Sequence, residues 1–210
     1  MTSRLGLVFA LAALIFSVVV YNRLPESVAT HFNARGEADG WSSRALAALL
    51  LPAIAAGVVL VFNMLPRMLP RREHLESFAS SYWLFANLVV AFMCALHVVV
   101  LGRALGWPVS IPTAVLLGIG SLFVVLGNVL PRTRSNWFLG IRTPWTLESE
   151  SVWRETHRVG GRTFIAGGVV TMAAAFMPAE IQPWIAMTAL VIGAFVPVVY
   201  SFLVWRKEKR

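Results

Sequence analysis

Six long apolar runs constrain the fold of this 210-residue chain more than any other feature. A helix needs roughly 20 consecutive apolar residues to cross a bilayer, and lipid offers the backbone no hydrogen-bond partner outside its own helix. Charged residues make up only 13% of the chain, about half of the share typical of a soluble domain. The sequence therefore predicts an all-α, polytopic membrane protein with six transmembrane helices, at residues 5–21, 45–65, 78–101, 111–130, 162–177 and 184–204.

The basic residues that flank these runs predict the orientation. If the N-terminus is cytoplasmic, 14 of the 18 lysine and arginine side chains fall on the cytoplasmic side. Short cytoplasmic loops carry such an excess, so we expect an N-in/C-in, multi-pass protein of the cell (inner) membrane with lipids around it. The net charge of +8 has the same explanation, and we expect no direct contact with nucleic acid.

The first outer loop, residues 24–44, contains the turn signals Asn33-x-x-Gly36 and Asp39-Gly40. We expect a solvated loop that holds Trp41 at the lipid headgroups, where tryptophan is favoured. His31 with nearby carboxylates has acceptable metal-ligand chemistry, but it has no histidine or cysteine at ligand spacing. The sequence therefore predicts no metal site and no cofactor.

Polar residues inside the spans are few. Because His97 lies about one turn from the outer end of its span, we expect it to be a packed or interfacial histidine. No Asp, Glu or Lys lies in mid-span, which argues against a proton-driven pump. The small-residue pairs Ala53/Gly57 and Gly167/Thr171 predict close helix packing.

The longest polar segment, residues 128–161, carries five arginines and three tryptophans. We expect an ordered cytoplasmic loop over 131–161, with a short helix that Thr146 caps and that ends at Gly160-Gly161. The composition of this segment has a simple explanation: arginines keep the loop on the cytoplasmic side, and tryptophans anchor it at the lipid headgroups. They do not explain a fixed residue order, because headgroup anchoring does not need one.

That order resembles the signature of the SdpI family of bacterial immunity proteins. The residues that carry the resemblance are Gly127-Asn128, Asn136, the octapeptide Gly140-Ile141-Arg142-Thr143-Pro144-Trp145-Thr146-Leu147, Trp153 and Thr156-His157. The outer loop resembles the small domain of unknown function that often precedes this family. The residues that carry this second resemblance are Leu24-Pro25, His31-Phe32, Gly36 and Asp39-Gly40-Trp41. The residues between these two regions resemble the family's linker at Pro66, Pro70, Arg71-Arg72-Glu73 and Phe78. They differ from the linker of the family at Leu69 and His74.

The resemblance implies a two-part organisation. An N-terminal two-helix hairpin, residues 1–77, contains the outer loop 24–44 and a cytoplasmic linker over 66–77. A four-helix SdpI-like region, residues 78–210, contains the cytoplasmic loop 131–161.

The resemblance also implies an inner-membrane immunity and sensing protein that confers resistance to a secreted toxic peptide. In the best-known family member, toxin presence is relayed to a cytoplasmic transcriptional regulator. We therefore expect a toxic peptide on the outer face and a regulator on the cytoplasmic face as partners. The expected contact residues are Asn136, Trp137, Gly140, Arg142, Pro144, Trp145, Trp153 and His157 in the polar segment, and His31, Asp39 and Trp41 in the outer loop.

Two other classes of function stay open at this point. One is a carrier for lipid or a small solute, which is supported by glycine-rich spans and by the repeat Asn-x-Leu-Pro-Arg at 63–67 and 128–132. Duplication of a helical hairpin and convergence explain this repeat equally well. An enzyme that holds a lipid phosphate with arginines and uses His157 as acid or base is the weaker alternative. No nucleophile–base spacing supports it, so we expect no catalytic residues and no enzymatic activity.

Overall fold

The computed structural model describes residues 4–68, 79–136 and 139–210, so Trp137 and most of the predicted linker lie outside the described residues. The elements are α1 (Arg4–Val20), β1 (Ser27–Phe32), β2 (Ala38–Ser43), α2 (Arg44–Met68), α3 (Ala79–Ala104), α4 (Ile111–Val129), α5 (Pro144–Glu148), α6 (Glu150–Ala174) and α7 (Gln182–Glu208). Turns of 3₁₀-helix follow α1 at Tyr21–Arg23 and α4 at Leu130–Arg132. The predicted all-α membrane fold is confirmed, with a small two-stranded sheet added to it.

Five helices of the described chain, α1 to α4 and α7, are long and apolar enough to cross a membrane. The protein is therefore a multi-pass membrane protein. The remaining predicted span, residues 162–177, falls mainly in the second half of α6, whose first half is charged. The count of six spans stays a prediction.

Internal contacts divide the chain into two units. The first unit consists of residues 1–68 and 86–115, and the second of residues 69–85 and 116–210. The predicted domain boundary at residues 77 and 78 lies outside the described residues and stays a prediction.

In the first unit, the segment predicted as a solvated loop contains an antiparallel β-hairpin. Strands β1 and β2 pair from Ser27 opposite Ser43 to Phe32 opposite Ala38. The side chain of Asn33 shapes the turn, because its Oδ1 accepts hydrogen bonds from the backbone N–H groups of Arg35 and Glu37 at 2.9 and 3.1 Å. Gly36 provides the positive φ of 79° that the turn requires. The turn signals were correct, but the short polar strands beside them lack the apolar alternation that identifies a strand.

A buried polar contact joins three helices of the first unit. The Oγ of Ser17 on α1 donates to the carbonyl oxygen of Ala48 on α2 at 2.7 Å. It lies 2.7 Å from Nε2 of His97 on α3, and it accepts a hydrogen bond there because its own proton is already used. His97 is only 1% exposed, which confirms the prediction of a packed histidine.

In the second unit, α6 continues through Gly160-Gly161 to Ala174, so the predicted helix end at these glycines is wrong. A Cβ on Gly161 would lie 2.7 Å from the carbonyl oxygen of Gly127 on α4. One glycine pair further along α6, a Cβ on Gly168 would lie 2.5 Å from the carbonyl oxygen of Gly120. The glycines therefore allow α4 and α6 to approach each other backbone to backbone.

The other glycine of each pair faces away from α4, Gly160 towards Ile141 and Gly167 towards α7. A Cβ on Gly167 would lie 2.9 Å from the carbonyl oxygen of Ala189. Oγ1 of Thr163 donates to the carbonyl oxygen of Gly193 at 2.8 Å. The predicted close packing at Gly167/Thr171 is thus confirmed. At Ala53/Gly57 it is wrong within the described chain, because both residues are exposed and a Cβ on Gly57 would meet nothing within 4 Å.

Candidate functional site

The polar segment begins with a turn built around Asn136, which is 7% exposed. Its amide nitrogen donates to the carbonyl oxygens of Arg134 and Leu139 at 2.7 and 3.0 Å. Its Oδ1 accepts from the backbone N–H of Leu139 at 2.7 Å. One side chain therefore replaces the backbone partners that an irregular loop lacks.

Trp153 of α6 closes this loop onto the helix. Its indole N–H donates to the carbonyl oxygen of Thr133 at 2.9 Å, and the side chain is fully buried. The indole ring stacks on the imidazole of His157, with 3.9 Å between ring centroids and 19° between planes. A buried tryptophan normally finds a partner for its N–H, and here that partner is the loop backbone.

His157 holds the next part of the segment, and its hydrogen bonds determine its tautomer. Nε2 accepts from the backbone N–H of Ile141 at 2.9 Å, and Nδ1 lies 2.8 Å from the carbonyl oxygen of Trp153. Since a carbonyl only accepts, the proton of the neutral imidazole is on Nδ1. Burial lowers the pKa of His157 to about 4, because a charged ring would lose its solvation.

Gly140 lies directly against this pair of rings. Its φ of 130° belongs to the left-handed half of backbone space that glycine tolerates best. A Cβ at this position would collide with Nε2 of His157 and would lie 2.9 Å from the ring of Trp153. Glycine is therefore required here both by backbone conformation and by space.

A capping box begins α5 immediately after this contact. The side chain of Thr143 accepts from the backbone N–H of Thr146 at 3.3 Å, and Oγ1 of Thr146 accepts from the N–H of Thr143 at 2.9 Å. Pro144 occupies the first turn, where its missing N–H costs nothing. The predicted cap at Thr146 is wrong, because Thr143 caps α5 and Ser149 caps α6.

Trp145 attaches α5 to the C-terminal part of α7. Its indole N–H donates to Oγ of Ser201, and its ring lies edge-on to Phe202 with 5.4 Å between centroids. Glu148 extends the attachment, accepting from the indole N–H of Trp205 and from Nζ of Lys209, both at 2.9 Å. The hydrogen bond from Lys209, followed by that from Trp205, lowers the pKa of Glu148.

The predicted contact residues of the polar segment thus fall into two groups. Asn136, Trp153 and His157 are buried and hold the loop together, with Gly140 packed against them. Arg142 and Pro144 are exposed, and Trp145 is half-buried against α7. Trp137 lies outside the described residues. The buried residues have a structural role, and the exposed residues are the ones that a partner can contact.

The three predicted contact residues of the outer hairpin lie on its surface. Nδ1 of His31 is 2.5 Å from Oδ1 of Asp39, and the two side chains are 76% and 45% exposed. Trp41 is paired with Ala29 across the hairpin and is 60% exposed. The exposed indole of Trp41 follows Asp39 by two residues on the same strand, so lipid headgroups or a protein partner can reach both side chains.

Two residues that organise the site, and the buried hydrogen bond of Thr146, were not predicted from sequence. Thr133 supplies the carbonyl for Trp153, Ser201 receives Trp145, and the fully buried Thr146 donates from Oγ1 to the carbonyl oxygen of Ile141 at 2.8 Å. Small hydroxyl residues carry no pattern of their own. The signal that was available is the motif Thr143-x-x-Thr146, which has the spacing of a capping box.

Helices α6 and α7 also border an open apolar groove with a volume of about 590 Å³. Its lining includes the small residues Gly167, Ala189 and Gly193, with Trp184 at one end. The groove follows from the glycines that bring the two backbones together.

Comparisons with known proteins agree with the resemblance found in the sequence. A family model described as the SdpI/YfhL protein family matches residues 132–201, and a model described as domain of unknown function DUF1648 matches residues 8–56. The immunity protein SdpI of Bacillus subtilis (strain 168) is 22% identical over 203 residues, which are 97% of this chain and 95% of that protein. No solved structure matches the chain significantly. The first match runs from Arg132 to Ser201 and so contains both ends of the loop-to-α7 attachment.

Proposed function

We propose that this chain, which carries an SdpI-family region at residues 132–201, is a membrane immunity protein that protects its cell against a secreted toxic peptide. The observation that carries this proposal is the similarity to an immunity protein over 97% of the chain and 95% of that relative. Such coverage includes the outer hairpin, the spans and the polar segment together. The function therefore belongs to the whole chain rather than to one region.

The polar segment supports a binding role rather than a catalytic one. Both ring nitrogens of His157 are used in buried hydrogen bonds, to Ile141 and to Trp153. A general acid or base has to reach the proton that it transfers, and this ring faces the protein interior. His157 accordingly has a structural role in this proposal, which includes no enzymatic step.

The outer hairpin is the surface that we propose for the peptide. A peptide arriving from outside meets the exposed indole of Trp41 and the His31–Asp39 pair. Tryptophan contributes strongly at protein interfaces because it removes a large apolar area from water. Trp41 is therefore our first choice for toxin contact.

The exposed side of α5 is the surface that we propose for a cytoplasmic regulator. Arg142 and Pro144 are exposed there, next to the half-buried Trp145. A toxin can pass a signal to this surface only by binding one of two conformations of the protein better than the other. The attachment of α5 to α7 through Trp145 and Ser201 is the element that could differ between two such states.

A survival assay tests the proposal. A sensitive host expressing the chain is challenged with the secreted peptide of a related toxin system, beside hosts that carry Trp41→Ala or Arg142→Ala. We expect wild type to protect, Trp41→Ala to lose protection, and Arg142→Ala to keep protection while losing crosslinks to a cytoplasmic protein. Matched controls are Trp184→Ala, which removes another exposed tryptophan, and Arg206→Ala, which removes another exposed arginine.

Wild-type cells that die as readily as empty-vector cells, with membrane expression verified, would contradict the immunity role. Equal loss of protection in Trp41→Ala and Trp184→Ala would remove the hairpin from the proposal. Unchanged crosslinking in Arg142→Ala would do the same for the α5 surface.

A further inference from the structure

One face of α6 is exposed along the whole helix. The exposed residues are Glu150, Arg154, Glu155, Arg158, Arg162, Ala166, Val169, Val170 and Ala173. They recur every three or four residues, which is the period of one helix face. The opposite face carries Trp153, His157 and the glycine pairs, so the row of arginines lies away from the buried contacts that hold the second unit together.

Three arginines dominate the first half of this face. Arg154, Arg158 and Arg162 are four residues apart, so their backbone positions are about 6 Å apart along the helix axis and the row extends over about 12 Å. Among the described residues, none of the three forms an ion pair with a carboxylate. Like charges at this spacing repel one another. The positive charge of the row is therefore not compensated by the described residues.

The acidic residues nearby do not compensate this charge. Glu150 lies four residues before Arg154, at the spacing of a helical ion pair, but these two described residues form none. Glu155 points towards α7, because its Oε2 accepts from the hydroxyl of Tyr200 at 3.5 Å. The arginine row is therefore open to an external anion.

The second half of the same face indicates which kind of anion the arginines would bind. After Arg162 the exposed residues become apolar, with Val169 and Val170 at 50% and 44% exposure. The change from Arg162 to Val169 takes seven residues, or about two helical turns. Such a change on one helix face is typical of a segment that passes from the headgroup layer into the acyl chains. The aliphatic part of an arginine side chain can lie along this apolar surface while its guanidinium reaches the headgroups.

We propose that Arg154, Arg158 and Arg162 form a binding row for the phosphate groups of anionic phospholipids. A guanidinium group binds phosphate through two parallel hydrogen bonds, which an ammonium cannot do. Clusters of basic residues beside a membrane span bind anionic headgroups more tightly than zwitterionic ones. Because Trp153 and His157 occupy the other face of the same turns, a bound lipid stabilises the helix that holds the polar segment.

A lipid-dependent melting experiment tests this row without reference to immunity. The purified full chain in neutral detergent is titrated with phosphatidylglycerol, with phosphatidylcholine and, at matched ionic strength, with inorganic phosphate. We expect phosphatidylglycerol at ten times its Kd to raise the melting temperature by about 3–5 °C. Phosphatidylcholine and inorganic phosphate should give less than a third of that shift.

The test variant is Arg154→Gln with Arg158→Gln and Arg162→Gln. It should melt, without lipid, at or slightly above the wild-type temperature, because mutual repulsion is removed. It should lose most of the shift with phosphatidylglycerol. The matched control replaces the three exposed cations Arg206, Lys207 and Arg210 of the C-terminal end by glutamine and should keep the shift.

Four results would overturn the row as a lipid site. They are equal shifts with both lipids in wild type, an equal shift with inorganic phosphate, an unchanged shift in the triple variant, and equal loss in the C-terminal control. Equal loss in both variants would indicate a response to total charge. The row would be assigned to a protein partner if two results came together. The triple variant would keep the melting shift with phosphatidylglycerol, and an acidic soluble protein would bind to wild type but not to the triple variant.

Discussion

His157 shows how one side chain can be fully buried in a segment that is rich in arginine. The ring is neutral, it is stacked on Trp153, and each of its nitrogens has one partner of the right kind. A protonated ring would carry a second N–H where the N–H of Ile141 already points at it. The polar segment therefore depends on an uncharged histidine.

This dependence predicts a loss of stability in mild acid. The pKa of His157 is about 4 in the folded protein, whereas that of an unfolded histidine is about 6.5. Between these values the unfolded chain binds more protons, so the contribution is complete above pH 6.5 and is lost as the pH falls towards 4. We expect the free energy of unfolding to fall by about 2 kcal/mol between pH 7 and pH 5 from this residue alone.

Melting of the detergent-solubilised protein across this pH range measures the effect. His157→Gln is the comparison variant, because its amide oxygen can accept from Ile141 and does not titrate. It should be less stable at pH 7 and should show a flatter pH profile than wild type. Parallel profiles for the two proteins would show that His157 is not the titrating group, since both retain His31 and His97.

At the scale of elements, the paired glycines of α6 decide how the second unit packs. Gly160-Gly161 and Gly167-Gly168 are seven residues apart, which is close to two helical turns, so Gly161 and Gly168 both face α4. Gly167 faces α7, whereas Gly160 lies against Ile141 of the loop and, farther away, Pro197 of α7. In a soluble protein, Gly-Gly after a charged helix usually indicates a helix end. In a membrane helix the same residues permit close approach of neighbours, and here the second meaning holds.

Gly168→Ala is therefore expected to destabilise the protein by about 1–3 kcal/mol, because the added methyl group meets the backbone of Gly120, which cannot rotate away. Gly57→Ala is the matched control, since that position is open on the exposed side of α2. It should change stability by less than about 1 kcal/mol. Comparable melting temperatures for the two variants would contradict the close approach of α4 and α6.

At the scale of the whole molecule, the number of membrane crossings depends on α6. From Thr163 to Ala174 the helix rises about 18 Å, which is well short of a hydrocarbon core about 30 Å thick. Residues 175–181 would have to complete the crossing. Six spans place the C-terminus on the cytoplasmic side, whereas five spans place it outside.

Cysteine labelling with a membrane-impermeant maleimide distinguishes these cases. In a Cys94→Ala background, Ala34→Cys in the hairpin turn should label in intact cells. Arg210→Cys should label only after permeabilisation, because we expect six spans and an N-in/C-in orientation. Labelling of Arg210→Cys in intact cells, with Ala34→Cys also labelled, would show that α6 does not cross.

The sequence by itself determined the properties that depend on local composition and order. Apolar runs longer than a bilayer is thick require membrane helices wherever their neighbours lie. The fixed order from Gly140 to Leu147 was sufficient to identify the SdpI resemblance, since it needs no knowledge of contacts. The position of His97 in its span predicted a packed or interfacial histidine, and its burial agrees with the first of these.

Only the tertiary structure decided which residues build the site and which remain exposed. Trp153 reaches the carbonyl of Thr133 twenty positions away, and Trp145 reaches Ser201 across 56 positions. Such partners cannot be inferred from residue type, because an indole N–H accepts many partners and a serine hydroxyl offers no pattern. For the same reason Gly160-Gly161 was read as an end of α6, when the packing of α4 and α7 against these glycines lets the helix continue.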